Sequence, residues 1–414
     1  MRIERLSTIL KPNPRRVICQ SYNISKDNVW RISEQLVSYT DDQMEALYHQ
    51  LMAGFGSRHR NLEPLLDRHF HELENHLPKS IQLSPVAKRV LASFFSKEYS
   101  FEAAALFNPS IITNANQAAT GKDVMQFIMS LRAAGEGHIS SVEFIGGSYN
   151  NGGSIRLDPV SAYATIPQSI RSVNDSTIEL EFDPDTKLSE RIIFPVTPEE
   201  SNGIEDLRMV KYTESDTPVY YGTYTAYDGK CIRSKLMETK DFLRFRLHRL
   251  NGAAIRDKGM ALFPEKIDGK FAMISRQDSE NLRIMFSDDL LHWDESHILL
   301  KPQLPWELAK VGNCGSPLKT NEGWLLLTHG VGAMRKYSMG ICLLDLRNPS
   351  KVQARLKEPL IDPNDQEREG YVPNVVYSCG GIIHRNWLLL PYAMSDSASG
   401  FARINIDELL QKME

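Results

Sequence analysis

The segment GIEDLR at 203–208 sets two adjacent carboxylates, Glu205 and Asp206, beside Arg208. A carboxylate next to a guanidinium is commonly a structural ion pair that has lost its proton and pins a loop. One that reaches a pocket can instead act as a general acid or base. Adjacent side chains on extended backbone point to opposite faces, so one of the two is expected to face a pocket and the other to turn away. A second set is cationic: Arg132, Arg276 and His329 each close a short apolar run, and Lys258 lies in DKGMALFP just ahead of one. Buried cations need anions. Either Glu205, Asp206, Asp257 and Glu136 neutralise them in a structural network, or a guanidinium fork and an imidazole hold an oxyanion such as phosphate or a carboxylate-bearing sugar. Tyr221, Tyr224 and Tyr227, with Trp306, Asn313, Tyr371, Asn374 and Tyr377, add rings and amides of the kind that stack on sugars and read hydroxyls. Each tyrosine serves equally well as a core residue with a satisfied hydroxyl.

The elements that must position these groups are read from five aromatic-led apolar runs. They are FIMSLRA from Phe127, YYGTYTA from Tyr220, FAMISRQ from Phe271, WLLLTHG from Trp324 and WLLLPYA from Trp387. Alternation along a strand puts offsets one, three and five on one face, which aligns Arg132, Thr225, Arg276, His329 and Tyr392 at one end of their strands. The starts are separated by 93, 51, 53 and 63 residues. Intervals near fifty predict a propeller, with about four strands per blade around a central channel. The long first interval requires extra strands or a long loop across 156–200.

Ahead of the strands the texture differs. Residues 1–26 read as an extended segment packing on the propeller, with Pro12 and Pro14 opposing helix. Segments 27–38, 41–54, 61–76 and 84–97 carry apolar residues at three-and-four spacing and predict a helical module over 27–99, with helix starts at Ser33 to Gln35 and Thr40 to Met44. Its histidines (His49, His59, His69, His71) are read as a solvated face, because HFH at 69–71 puts its imidazoles on different sides of a helix and so makes no bidentate metal pair. The strands are expected over 100–403 and a short helix over 404–414.

Composition excludes several classes. A net charge of −4 gives no electrostatic case for nucleic acid or an anionic membrane. The start, MRIERLSTILKPNPRR, has no apolar core of an export signal, and no run approaches membrane-spanning length, so a cytoplasmic protein is expected. Five dispersed cysteines without a CxxC pair suit a reducing compartment, with Cys314 and Cys379 read as small buried hydrophobes. HGVGAM at 329–334 lacks the Lys-Ser/Thr of a phosphate-binding loop, and nucleotide binding is rejected.

Taken in order, several segments resemble glycoside hydrolase family 130, the β-mannoside phosphorylases and β-mannosidases. They are LFNPSI, SLRAAG, GIEDLR followed by YYGTYTAYDG, ALFPEKIDGKFAMISR, SDDLLHW, NCGSP, THGVG, YSMGICLLDLRNPSKV and GYVPNVVYSCG, running from about 101 to 395. The resemblance implies a five-bladed propeller and an inverting attack on a β-mannosidic bond. In the phosphorylases inorganic phosphate is co-substrate, no further cofactor or metal is needed, and α-mannose 1-phosphate is released. The family's acid, in a GxEDPR motif, falls on Asp206, with Leu207 standing where proline is usual. Lys258, Arg276 and His329 keep the phosphorylase pattern, and Arg335 joins them as a phosphate-binding candidate. Asn108, Arg132, Arg208, Tyr224, Asn313, Tyr371 and Asp396 are assigned to the mannosyl unit. The expected partners are thus a β-mannoside and phosphate, with the helical module offering a surface for self-association. Two alternatives stand: an inverting β-mannosidase that uses water, with Glu136 or Glu369 as base, and a non-catalytic sugar-binding propeller.

Overall fold

A computed structural model describes residues 1–117, 123–213 and 217–414. The fold is mainly β, and the chain divides into two compact units. One comprises Met1–Pro12, Glu102–Val160 and Ile166–Glu414, the other Asn13–Phe101 with Ser161–Thr165.

The smaller unit holds four helices, Lys26–Val37, Asp41–Phe55, Leu62–Leu73 and Pro85–Ser93, and a two-stranded ladder of Ile18–Ser21 with Ser96–Tyr99. Thr40 caps the second helix through a reciprocal box with Gln43, and Ser84 followed by Pro85 starts the fourth. Such caps contribute about 1 kcal/mol each. The first helix starts at Ser25, whose hydroxyl accepts from the Asn28 amide; Ser33 is buried mid-helix and does not start one. Val29, Leu36, Leu66, Phe70, Leu73, Val90 and Leu91 close the core, at about 1.5–3 kcal/mol for each large apolar side chain removed from water. The solvated-face reading of the histidines fails for two of them. His59 and His69 are buried, against Glu98 at 3.0 Å and Ser96 at 2.6 Å, and burial lowers both pKa values. They satisfy a ladder end.

The larger unit is antiparallel sheet. Lys258–Leu262, Phe271–Arg276, Leu282–Ser287 and His297–Leu300 form a four-stranded meander. Lys310–Asn313, Trp324–Val331, Tyr337–Leu344 and Val352–Arg355 repeat that order, with Leu318–Lys319 added at Trp324–Val331. In a further sheet the first strand of the chain, Ile3–Leu10, pairs with the last, Ala398–Asn405, followed by Trp387–Met394 and Val376–Tyr377. The remaining strands make one ten-stranded sheet, but its halves meet through a single parallel pairing, Gly203 with Ser140. One half carries Ala105–Thr113, Val124–Ala134, Ser140–Asn150 and the short Ile155–Leu157; the other carries Gly203–Tyr212, Val219–Tyr227, Ile232–Thr239 and Arg244–Arg249, extended by Thr177–Glu181 and Ser169–Asn174.

Apolar clusters unite neighbouring strand groups in chain order. Ile128 and Phe144 pack with Leu207 and Phe245, Val210 and Leu236 with Met260 and Met273, Ile274 and Ile284 with Trp324 and Leu326, and Leu327 and Ile341 with Leu388 and Leu390. A small cluster of Ala105, Phe107, Ala134 and Ala393 joins the first group to the last. Because these sheets are covered on both faces, the inner strands lose the apolar–polar alternation; Trp324–Val331 is buried at every position.

Candidate active site

Three strands share one device. In Ala105–Thr113 the register shifts between Phe107 and Ser110, in Gly203–Tyr212 between Glu205 and Arg208, and in Lys258–Leu262 between Lys258 and Ala261. Each shift leaves two residues opposite one, a β-bulge that turns the strand. The first extra residue takes left-handed backbone, at Asn108 (φ 48°), Asp206 (φ 53°) and Gly259 (φ 88°). Asn, Asp and Gly are the residues that enter that region at least cost, so the bulges are written locally in the chain.

The bulge at Asp206 overturns the alternation argument. Glu205, Asp206 and Arg208 all line one cavity of about 280 Å³, while Leu207 turns into the core. Leu207 comes so close to Gly222 that a Cβ there would meet its Cδ1 at 2.6 Å.

The cavity brings together Asn108, Arg132, Glu205, Asp206, Arg208, Lys258, Arg276, Lys310, His329, Arg335, Tyr337, Tyr377 and Asp396, with Val372 and Val375. Asn108 Nδ2 donates to Asp206 Oδ1 at 2.7 Å, Arg132 Nη1 stands 3.4 Å from the same oxygen, and Arg208 Nη2 is 3.6 Å from Oδ2. Arg208 also donates to the Asp206 carbonyl at 3.1 Å and to the Tyr377 hydroxyl at 2.6 Å. Burial pushes the Asp206 carboxyl up, but Arg132, Arg208 and Lys258 outweigh it and hold the group at about 2. Asp396 has the opposite balance. Burial and the nearby Asp206 charge raise it to about 6 despite Arg132 and Arg335.

In the same cavity Arg276 Nη1 lies 3.3 Å from His329 Nε2, and His329 Nδ1 lies 3.2 Å from the Asn313 carbonyl. Burial, then Arg276 and Arg208, push the imidazole well below its usual pKa, so it is neutral. Its partners define the tautomer: Nδ1–H donates to Asn313, and Nε2 accepts from Arg276. The space for this pair comes from Gly312, where a Cβ would meet His329 Cε1 at 2.4 Å. Burial, Arg276 and Lys258 lower the Lys310 pKa. Six cationic side chains thus face three carboxylates, an arrangement suited to an anion.

Several expected residues lie outside this lining. Thr225 is buried opposite Glu205 in the ladder, and Tyr392 is buried with its hydroxyl donated to Glu367 at 2.6 Å. Tyr224 is enclosed in the core and donates to Glu200 at 2.8 Å. Asn313 acts through its backbone carbonyl, its side chain donating to the Gly315 carbonyl at 3.3 Å. Tyr371 is exposed next to the lining residue Val372, with its hydroxyl 3.3 Å from His138 Nδ1. Glu136 and Glu369 are not in the lining either. Conversely Lys310, Tyr337, Val372 and Val375 line the cavity without having been singled out. The one signal for Lys310 is its place two residues before Gly312, on the same strand face. No group of His, Cys, Asp and Glu among the described residues could hold a metal ion.

Residues 175–414 match the family described as β-1,4-mannooligosaccharide phosphorylase. A 1,2-β-oligomannan phosphorylase of a Thermoanaerobacter species is 36% identical over 231 residues, 54% of this chain and 75% of that protein. A β-1,2-mannobiose phosphorylase from the same source is 31% identical over 321 residues, 76% of this chain and 94% of the relative. Among solved structures, the β-1,2-mannobiose phosphorylase of Listeria innocua in complex with β-1,2-mannobiose aligns with a TM-score of 0.53 at 22% identity, over 75% of this chain and 92% of that one. At that identity the likeness concerns the fold.

Proposed function

The chain belongs to glycoside hydrolase family 130, and from that premise we propose that its cavity carries out inverting phosphorolysis of short β-mannosides. It is a glycoside phosphorylase acting on β-mannosides, and the relatives point first to the β-1,2-linked ones. One observation carries the reading: a carboxylate held among guanidinium groups shares a cavity with a cluster of cations that its carboxylates do not balance.

In this reading a phosphate oxygen attacks the anomeric carbon from the face opposite the leaving oxygen. The glycosidic C–O bond breaks, and the proton of Asp206, passed through a mannose hydroxyl, goes to the leaving oxygen. The products are α-mannose 1-phosphate and the shortened acceptor. Arg132, Arg208 and Lys258 keep Asp206 ionised; a phosphate dianion beside Lys258 offsets that field and raises the carboxyl toward the protonated form. Arg276, Lys258, Lys310 and Arg335 supply the positive charge, and neutral His329 orients Arg276 as its hydrogen-bond acceptor. Asn108, Arg132, Arg208 and Asp396 surround the mannosyl unit, with Tyr371 at the rim.

A five-bladed propeller accounts best for the architecture. Five antiparallel strand groups follow one another, adjacent groups share apolar clusters, and the first strand of the chain pairs with the last. The proposed division is a propeller formed by the strands of 100–405 together with Ile3–Leu10, a helical module within 27–99 with a role in self-association, and a short terminal helix at Ile406–Leu410. Among the described residues no helix is long and apolar enough to cross a membrane, and a cytoplasmic setting suits a phosphorylase.

The test is incubation with a panel of β-linked mannobioses, with and without phosphate, quantifying mannose 1-phosphate and free mannose. Phosphate-dependent mannose 1-phosphate is the expected product. Free mannose at equal rates in both conditions would favour the hydrolase reading, for which Asp396, raised to about 6 in the same cavity, replaces Glu136 and Glu369 as the candidate base.

A further inference from the structure

Glu205 is the one side chain in the cavity that touches cations of both kinds. Its Oε1 accepts from Arg132 Nη2 at 2.8 Å, and its Oε2 lies 3.5 Å from Lys258 Nζ. Arg132 is the guanidinium that also reaches Asp206, and it is further fixed by donating from Nε to Ser140 at 2.8 Å and by lying 4.9 Å over the Phe107 ring. Lys258 has no comparable support. It is a third exposed, and Glu205 is the one carboxylate within ion-pair range of it among the described residues. The two contacts are therefore unequal: a short bond to a well-anchored guanidinium, and a loose one to a flexible ammonium that can swing to another anion.

We propose that Glu205 is a positioning residue that holds Lys258 in reserve and so weakens phosphate binding, while fixing Arg132 beside the catalytic carboxylate. This rests on the phosphorolysis reading above. When phosphate enters, Lys258 exchanges the Glu205 carboxylate for a phosphate oxygen, and Glu205 keeps Arg132. The bulge gives this its physical sense: it brings Glu205 and Asp206 to the same cavity, so a fixed negative charge stands next to the acid and opposes a phosphate dianion. The outcome is an anion site that discriminates against overly tight binding and lets α-mannose 1-phosphate leave.

Phosphate affinity and turnover are therefore expected to move in opposite directions on substitution. In Glu205→Gln, Lys258 is freed and the like charge removed. Inorganic phosphate, titrated calorimetrically in the absence of mannoside, should bind about two- to fivefold more tightly, the range expected for losing one partly exposed ion pair. KM for phosphate should fall with it, while kcat falls because Arg132 loses its charge-assisted bond. A merely structural role predicts lower kcat with phosphate binding unchanged or weaker. Glu205→Asp keeps the charge but is a methylene too short to hold both cations, and should tighten phosphate by a smaller factor. It serves if the glutamine variant does not fold. A phosphate affinity equal to or weaker than wild type, in whichever variant folds, overturns the proposal. Failure of the wild-type protein to bind phosphate at all, with no phosphate-dependent turnover, overturns instead the reading on which it rests.

Discussion

The two walls of the cavity treat charge differently. Around Asp206 every cation has a carboxylate: Arg132 meets both Glu205 and Asp206, Arg208 meets Asp206, and Lys258 meets Glu205. Around His329, Arg276 has Asp257 only at 4.0 Å and leans on a neutral imidazole, while Lys310 and Arg335 have no carboxylate within 4.0 Å among the described residues. A satisfied wall is preorganised and costs little to maintain; an unsatisfied one stores electrostatic attraction for an incoming anion. The first orients a sugar and moves a proton, and the second binds a nucleophile; Lys258, the ladder partner of Arg276, stands between them, held by Glu205 until phosphate enters.

The sharpest way to break this contrast is Asp206→Asn. Turnover should fall by about a thousandfold or more, measured as mannose 1-phosphate release, while calorimetry still detects phosphate. Loss of phosphate binding along with turnover would mean that the walls are not separate. Next is Arg276→Met beside His329, expected to raise KM for phosphate by about ten- to a hundredfold, as removal of a charge-assisted contact to an anion should. The mannoside KM should hardly move, and an equal rise in both would erase the distinction.

A smaller effect separates the carboxylates by pH. Asp396 is raised to about 6 from an ordinary 3.8. Below 3.8 it is protonated in folded and unfolded chains alike; as pH rises through 6 the folded state must carry a charge it disfavours, and that contribution to stability is lost. Asp396→Asn should therefore raise Tm by a few degrees at pH 8, with the gain vanishing near pH 4, by thermal melts across that range. Asp206, held at about 2, has the opposite sign. Its stabilisation is present above 3.8 and fades as pH falls toward 2, so Asp206→Asn should lower Tm at neutral pH and not near pH 2. Least of all, Tyr371→Ala at the rim should raise the mannoside KM about two- to fivefold, the worth of one partly exposed aromatic contact, and leave the phosphate KM alone.

Much of this was legible in local signals. Helical spacing over 26–93 and the capping box at Thr40 are short-range patterns, and the aromatic-led runs mark the second strands of their sheets. Arg132, Arg276 and His329 reach the cavity from the offset that strand alternation assigns them. The same rule failed for Thr225 and Tyr392, because equal offsets on different strands do not guarantee equal heights in an assembled sheet, and the Tyr392 hydroxyl is taken up by Glu367. It failed again at Glu205 and Asp206, where a bulge cancels alternation. That bulge was nonetheless foreshadowed by residue type, since Asn108, Asp206 and Gly259 tolerate the left-handed backbone it needs.

By itself, then, the sequence determined the residue types that can enter strained backbone, the periods that make helices and strands, and the ordered motifs of the family. Only the tertiary structure decided which charges face one another. Protonation depends on burial and on neighbours brought from distant strands: it holds Asp206 near 2, lifts Asp396 to about 6 and keeps His329 neutral. Those quantities are set through space, by groups up to 264 residues apart along the chain (Arg132 and Asp396), and no local pattern encodes a distance.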